Sequence, residues 1–252
     1  MAHVHGSGAP PHGYVRGMSE HPQQDLGRLR REYGDAGLDL PDLEDDPVAM
    51  FRRWFDDTVA AGVHEPNAMV VCTVSAEGRP SSRLVLLKGL DERGFVFYTN
   101  LESRKGEEIS ANPAVSLLFP WHDLQRQVRV EGTASRVTPE EDEAYFASRP
   151  RESQLGAWAS PQSRVVASRS ALDERYGGVL SRFADADSVP LPPFWGGIRV
   201  APQEIEFWQG RKGRMHDRLV YRRSGRGLGR IDQGVDGSGV AEPGWTVERL
   251  AP

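Results

Sequence analysis

Five cations crowd residues 83 to 105, and four of them raise the question of a partner. Arg83 and Lys88 interrupt the apolar run "RLVLLKGL", and Arg104 and Lys105 follow "FVFYTNLES". A lone cation buried beside core strands is costly unless an anion meets it, so this stretch asks for a negatively charged partner. Ser103 is placed to cap a helix that "ANP" at residues 111 to 113 ends, which puts Arg104 and Lys105 in its first turn. Cations there oppose the helix macrodipole, and a bound phosphate would relieve the conflict; a solvated turn balanced by Glu107 and Glu108 is the competing reading. Arg83 and Lys88 lie five residues apart, so a regular strand would point them to opposite faces. Either a bulge realigns them or they address different anions.

Two further clusters carry usable chemistry. Tyr145 and Arg149 are four apart and share a helix face, Pro150 makes Arg149 a helix terminus, and Ser153 follows just beyond. Together they could grip a phosphate through charge-assisted hydrogen bonds, or simply decorate the surface. In "EFWQGRKGRMHDRLVYRR", Trp208 precedes a turn carrying Arg214, His216 and Arg218; strand alternation would put these three on one face, with Met215 and Asp217 opposite. In "LQRQVRVEG" the same alternation aligns Gln125, Gln127, Arg129 and Glu131, and the neutral amide of Gln127 suits the edge of a heterocycle.

The elements that must hold these groups are mostly short and β-like. "AMVVCTVS", "SRLVLLKGL", "FVFYTN", "AVSLLFPW" and "RQVRVEGTASRVT" are punctuated by turn signals, and "FWGGIRV", "EIEFWQ" and "RLVYRR" resume the pattern. Helices are expected at about 103 to 111, 139 to 148 and 163 to 184. Another is expected after Asp46, where Val48, Phe51, Phe55 and Val59 recur at helical spacing. The expectation is one α+β domain, mostly antiparallel barrel or sandwich, over residues 25–252.

Residues 1–24, rich in Gly, Pro and His, read as a disordered tail, and Met18 is an alternative start. His3, His5 and His12 have no companion carboxylate or thiol there and read as plain tail, not as metal ligands. Residues 224–243 read as a long hairpin loop; their glycines do not complete G-x-G-x-x-G, because Arg230 stands at the last position. The single cysteine, Cys72, excludes an internal disulfide or a multi-thiolate metal site and reads as a small core residue. A net charge of −5 and a pI near 5.8 argue against a general nucleic-acid binder. With no apolar run approaching the roughly 20 residues of a membrane helix and no leader pattern, a cytoplasmic protein is expected.

Seven blocks, "RLVLLK", "VFYTNLESRKGEEI", "NPAVSLLFPWHDLQRQVRVEG", "YFASRPRESQLGAWASPQS", "PPFWGGIRV", "IEFWQGRKGRMHDR" and the terminal "ERLAP", occur in order from about residue 25 onward. Together they closely resemble the pyridoxine (pyridoxamine) 5′-phosphate oxidase family. The resemblance implies an FMN-binding split β-barrel of antiparallel Greek-key type, in a homodimer whose two FMN sites are built from both subunits. It also implies oxidation of pyridoxine 5′-phosphate and pyridoxamine 5′-phosphate to pyridoxal 5′-phosphate in vitamin B6 metabolism. O2 would be the acceptor, with H2O2 released and ammonia freed from the amine, and no metal, nucleic acid or membrane is implied.

Carried over by motif, the FMN contacts fall on Arg83, Val85, Leu86 and Lys88, on Tyr98 and Thr99, and on Arg104 and Lys105. Gln127, Gln162 and Ser163, Trp208 and Arg218 complete that set. Lys88, Tyr145, Arg149 and Ser153 would hold the substrate phosphate. Arg214 and His216 would lie over the pyridine ring as the catalytic pair, with Met215 between them where the family usually has Leu. Arg30, Arg31, Glu32 and Tyr33 resemble the segment that closes over the site. A related split-barrel deazaflavin reductase and a non-catalytic flavin or pyridoxal phosphate carrier are the alternatives.

Overall fold

The computed structural model describes residues 32–223 and 244–252; the expected tail, the alternative start, the 224–243 loop, Arg30 and Arg31 lie outside the described residues. Tyr33–Pro252 form one compact unit. Its centre is an antiparallel sheet of β1 (Ala68–Val74), β2 (Pro80–Leu86), β3 (Gly89–Asp91), β4 (Gly94–Asn100), β5 (Ala114–Trp121), β6 (Arg126–Arg136), β7 (Trp195–Gln209), β8 (Asp217–Arg223) and β9 (Trp245–Arg249). The main path runs β2-β1-β5-β6-β7-β4-β3.

β7 is the element on which the sheet forks. One of its edges is taken along its length by β6, with a bulge between Glu131 and Gly132. The other edge carries β4 against residues 195–200 and then β8 against residues 204–209. Two sub-sheets therefore diverge from a single 15-residue strand. Strong twist and a bulge let a sheet curl in this way, and the curl is filled from inside.

The filling comes from helix α1 (Pro47–Ala60), capped by the Asp46 carboxylate accepting from the Ala49 N–H at 3.0 Å. It buries Met50, Phe51 and Trp54, and Phe51 meets Phe95, Phe119 and Trp121 with ring centroids 4.7 to 5.5 Å apart. The buried face is rotated from the expected one: Val59 is exposed and Thr58 is buried in its stead. Thr58 tolerates burial because its hydroxyl donates to the Trp54 carbonyl.

The outer helices are α2 (Arg104–Ala111), α3 (Pro139–Ser148), α4 (Arg151–Ala159) and α5 (Arg169–Arg182). Helices α2 and α3 match their expected spans, and α5 begins later than expected. Helix α4 was not expected. Pro150 ends α3 but immediately nucleates α4, since its carbonyl accepts from the Ser153 and Gln154 N–H groups. Arg149, extended at φ −73° and ψ 147°, is the corner between the two helices.

Two strand readings also need correction. Gln125 precedes β6 in a left-handed conformation (φ 55°), so it does not share the face of Gln127. Residues 212–214 form a 3-10 turn and β8 starts only at Asp217, so Arg214, His216 and Arg218 are not one strand face.

Candidate cofactor and substrate site

A cavity of about 670 Å³ opens between the fork and the outer helices, within the size range of small-molecule sites. β2 supplies Arg83, Val85 and Leu86 to its wall, and β4 supplies Tyr98 and Thr99. Because β2 ends at Leu86 and β3 begins at Gly89, Lys88 sits in the break between strands, and it lines the same cavity as Arg83. That interruption, not a bulge, resolves the spacing conflict. Lys105 enters from the first turn of α2, held there by the Ser103 cap.

Arg83, Lys88 and Lys105 make one side of the cavity cationic. Lys105 is 8% exposed, and its ammonium donates to Thr99 Oγ1 (2.9 Å) and Gln162 Oε1 (2.6 Å). Burial, with the Arg83 charge adding to it, lowers its pKa to about 8. Arg83 donates to Thr73 Oγ1 and Ser81 Oγ, each at 2.6 Å, and reaches Glu108 at 3.3 Å.

A second polar set faces the same cavity from the α3–α4 corner: Tyr145, Arg149 and Ser153. The guanidinium of Arg149 lies 4.7 Å from the Trp195 ring and 5.5 Å from Phe146. Its Nη1 is buried without a hydrogen-bond partner, and burial lowers its pKa. A buried donor left unpaired is costly, and an acceptor entering the cavity would relieve that cost. Tyr98 and Tyr145 stack at 3.9 Å, and burial raises both phenol pKa values, keeping them donors.

The remaining expected residues gather elsewhere. Gln127, Trp208 and Arg218 are neighbours across β6, β7 and β8. Trp208 lies 4.7 Å from His216 by ring centroid, and Tyr33 stands edge-on to both, at 5.9 and 5.4 Å. His216 Nδ1 accepts the Arg211 N–H at 3.1 Å, which leaves the proton of the neutral ring on Nε2. Arg218 is bidentate to Glu206, at 2.8 and 3.0 Å. Met215 is exposed, as are Glu32 and Arg214. None of this group lines the 670 Å³ cavity. Trp208 is thirteen residues along β7 from Trp195, a run of up to roughly 40 Å at ~3.3 Å per residue.

Two other expected residues sit at the cavity's margin. Arg104 is not in its wall and instead donates to Glu108 Oε1 at 2.8 Å. Ser163 adjoins Gln162 and has φ 68°. Arg214, at φ 60°, shares this uncommon backbone state, which persists where surrounding structure enforces it.

Spacing and motif missed Trp195 and Asn100, both in the cavity wall. "PPFWGG" marked the neighbourhood of Trp195, but only the fold reveals the arginine over its ring. Among the described residues no cluster could hold a metal ion, and no helix is long and apolar enough to cross a membrane.

An antiparallel sheet forked into a half-barrel, with a phosphate-type cavity at its flank, defines the split-barrel class of FMN-binding proteins. Residues 55–182 match the family model described as pyridoxamine 5′-phosphate oxidase, and residues 195–252 match the pyridoxine 5′-phosphate oxidase C-terminal dimerisation region. The chain is 58% identical to a pyridoxine/pyridoxamine 5′-phosphate oxidase of Rubrobacter xylanophilus, over 85% of this chain and 98% of that protein. It is 52% identical to the one of Salinibacter ruber, over 90% and 99%.

Among solved structures, PhzG from Burkholderia lata, in complex with tetrahydrophenazine-1-carboxylic acid, is 28% identical. Its TM-score is 0.74, covering 87% of this chain and all of that one. An FMN-binding protein from Nostoc punctiforme shares the fold with a TM-score of 0.62 at 15% identity, covering 83% of this chain and all of that one. The chain belongs to the pyridoxine/pyridoxamine 5′-phosphate oxidase family.

Proposed function

We infer that this chain is an FMN-dependent oxidase that converts pyridoxine 5′-phosphate and pyridoxamine 5′-phosphate to pyridoxal 5′-phosphate in the cytosol, with O2 as final electron acceptor. The observation that carries the reading is the pairing, in one cavity, of two separate anion-seeking sets. Arg83 and Lys105 form one, and Tyr145, Arg149 and Ser153 the other, with Lys88 also in the wall. A flavin mononucleotide and a phosphorylated substrate bring one phosphate each. When bound, FMN supplies the hydride acceptor, taking hydride from C4′ of the substrate.

The residues present fit that cofactor. Arg83, Lys105 and, from the margin, Arg104 would hold its phosphate; Val85, Leu86, Tyr98, Thr99, Gln162 and Ser163 would line the rest of it. Arg149, with its unpaired Nη1, would take the substrate phosphate together with Lys88, Tyr145 and Ser153. Anchoring a phosphate remote from the reacting carbon lets binding energy orient C4′. Arg214 and His216 would sit over the pyridine ring, where the His216 Nε2–H can donate a hydrogen bond to the substrate oxygen or nitrogen and orient it. Gln127, Trp208 and Arg218 would complete the flavin site, and the segment through Glu32 and Tyr33 would close over the ring.

Since the second group does not share the cavity, we assign it to the partner's site: each complete site of a homodimer draws Arg149 from one subunit and Arg214 from the other.

The test is the visible spectrum of FMN-loaded protein mixed anaerobically with pyridoxine 5′-phosphate, followed by air. Bleaching of the flavin band, its return with O2 and the appearance of pyridoxal 5′-phosphate are expected. A band that persists after substrate binds would overturn the oxidase reading in favour of a carrier.

A further inference from the structure

Glu108 sits one turn into α2, and spacing alone reads it as a balancing charge beside Glu107. The two glutamates have different surroundings. Glu107 is exposed and pairs with Arg164, whereas Glu108 is 6% exposed and touches three elements. Its Oε2 accepts from Thr73 Oγ1 on β1, from Ser81 Oγ on β2 at 2.6 Å, and from Arg83 at 3.3 Å; its Oε1 accepts Arg104 Nε at 2.8 Å. Burial works to raise its pKa, but the Ser81, Thr73 and Arg104 bonds outweigh that and hold it at about 2. The carboxylate is ionised at any working pH.

A buried ion pair seldom adds net stability over an apolar substitute, so a carboxylate kept here between two arginines calls for a geometric reason. Arg83 spends its Nη1 and Nη2 hydrogens on β1, β2 and Glu108. Among the described residues no protein acceptor meets its Nε, which stays available to a ligand. Arg104, over half exposed, has Glu108 as its one carboxylate partner among those residues. Without that anchor, two like-charged guanidinium groups would repel each other into solvent.

We propose that Glu108 is a positioning residue for the cofactor phosphate: one buried carboxylate fixes the directions of Arg83 and Arg104 so that both meet the same phosphate group. This rests on the reading that these arginines bind the phosphate of FMN. It implies that Glu108 governs discrimination between flavins with and without a phosphate, and has no part in binding the isoalloxazine ring.

The experiment titrates the unliganded full-length protein with FMN and with riboflavin, following flavin fluorescence. Wild type should prefer FMN by roughly a hundredfold or more, as expected of several charge-assisted bonds. Glu108→Ala should weaken FMN by roughly tenfold or more and leave riboflavin within about twofold. Glu108→Gln, of equal size, keeps an acceptor for the hydroxyls but cannot hold both guanidinium groups, so it should lose a smaller part of the same preference. It decides the matter if the alanine variant does not fold. Equal losses for both flavins would overturn the proposal in favour of a merely structural role, as would an unchanged FMN preference in the variants. Equal binding of both flavins by wild type would instead overturn the phosphate assignment of Arg83 and Arg104 on which it rests.

Discussion

Arg149 differs from the other partly buried arginines in what it touches. Arg83, Arg199 and Arg218 each reach a carboxylate, whereas Arg149 meets aromatic faces and keeps an unpaired buried Nη1. Arg149→Ala should therefore raise KM for pyridoxine 5′-phosphate by roughly tenfold or more while FMN retention stays close to wild type, measured by steady-state kinetics and flavin content. Loss of FMN in step with KM would mean that the two phosphate sets had been assigned the wrong way round.

Lys105 gives a prediction in pH. Its pKa of about 8 reflects burial and the Arg83 charge, and a bound phosphate would favour the ammonium and raise it. FMN binding then takes up a proton, so affinity should fall as pH rises through about 8, by up to roughly tenfold per unit. Titrations at several pH values, with Lys105→Met showing no such slope above pH ~7, check this. In the unliganded protein the unfolded chain binds more protons than the native one between about 8 and 10.5, so the Lys105 contribution to stability rises with pH across that window. At this scale local pattern exposed the cations and their need of an anion. The roles of Trp195 and Glu108 stayed hidden because they depend on partners such as Thr73, 35 residues from Glu108.

Helix α2 carries two of the four cations, and its seating depends on Gly106. A Cβ there would lie 2.1 Å from the Leu101 carbonyl oxygen and 2.5 Å from its carbon, so the helix rests directly on the preceding turn. Gly106→Ala should shift α2 outward, cost about 1–3 kcal/mol, lower Tm by several degrees and loosen FMN. Thermal melts with and without FMN would show it, the variant gaining less from the cofactor than wild type. The caps of α1 and α2 were legible because Asp46 and Ser103 act on their own first turns. Helix α4 was not, because Pro150 gives a stop signal to α3 and a start signal to α4 at the same residue. The shared face expected of Arg214, His216 and Arg218 failed for a related reason: the positive φ of Gly213 and Arg214 breaks an alternation that residue types alone suggest.

At the scale of the whole molecule, the proposed composite site must bring Arg149 of one subunit to Arg214 of the other. They belong to opposite arms of the fork on β7, one beside Trp195 and the other beyond Trp208. The chain's strand pattern announced an antiparallel barrel or sandwich but not the fork, since no spacing encodes which strands share an edge. In a twofold dimer, each surface that receives a partner's residues also donates its own, so two composite sites form at once. A mixing experiment follows from that symmetry. Assayed at pyridoxine 5′-phosphate well below the wild-type KM, Arg149→Ala and Arg214→Ala homodimers should each be strongly impaired in turnover. Unfolded and refolded together in equal amounts, they form mixed dimers in which one site carries both defects and the other carries neither. Random pairing should then restore roughly a quarter of the wild-type sites. If both arginines served a site within one chain, no mixed dimer would contain an intact site, and activity would stay at the level of the separate variants.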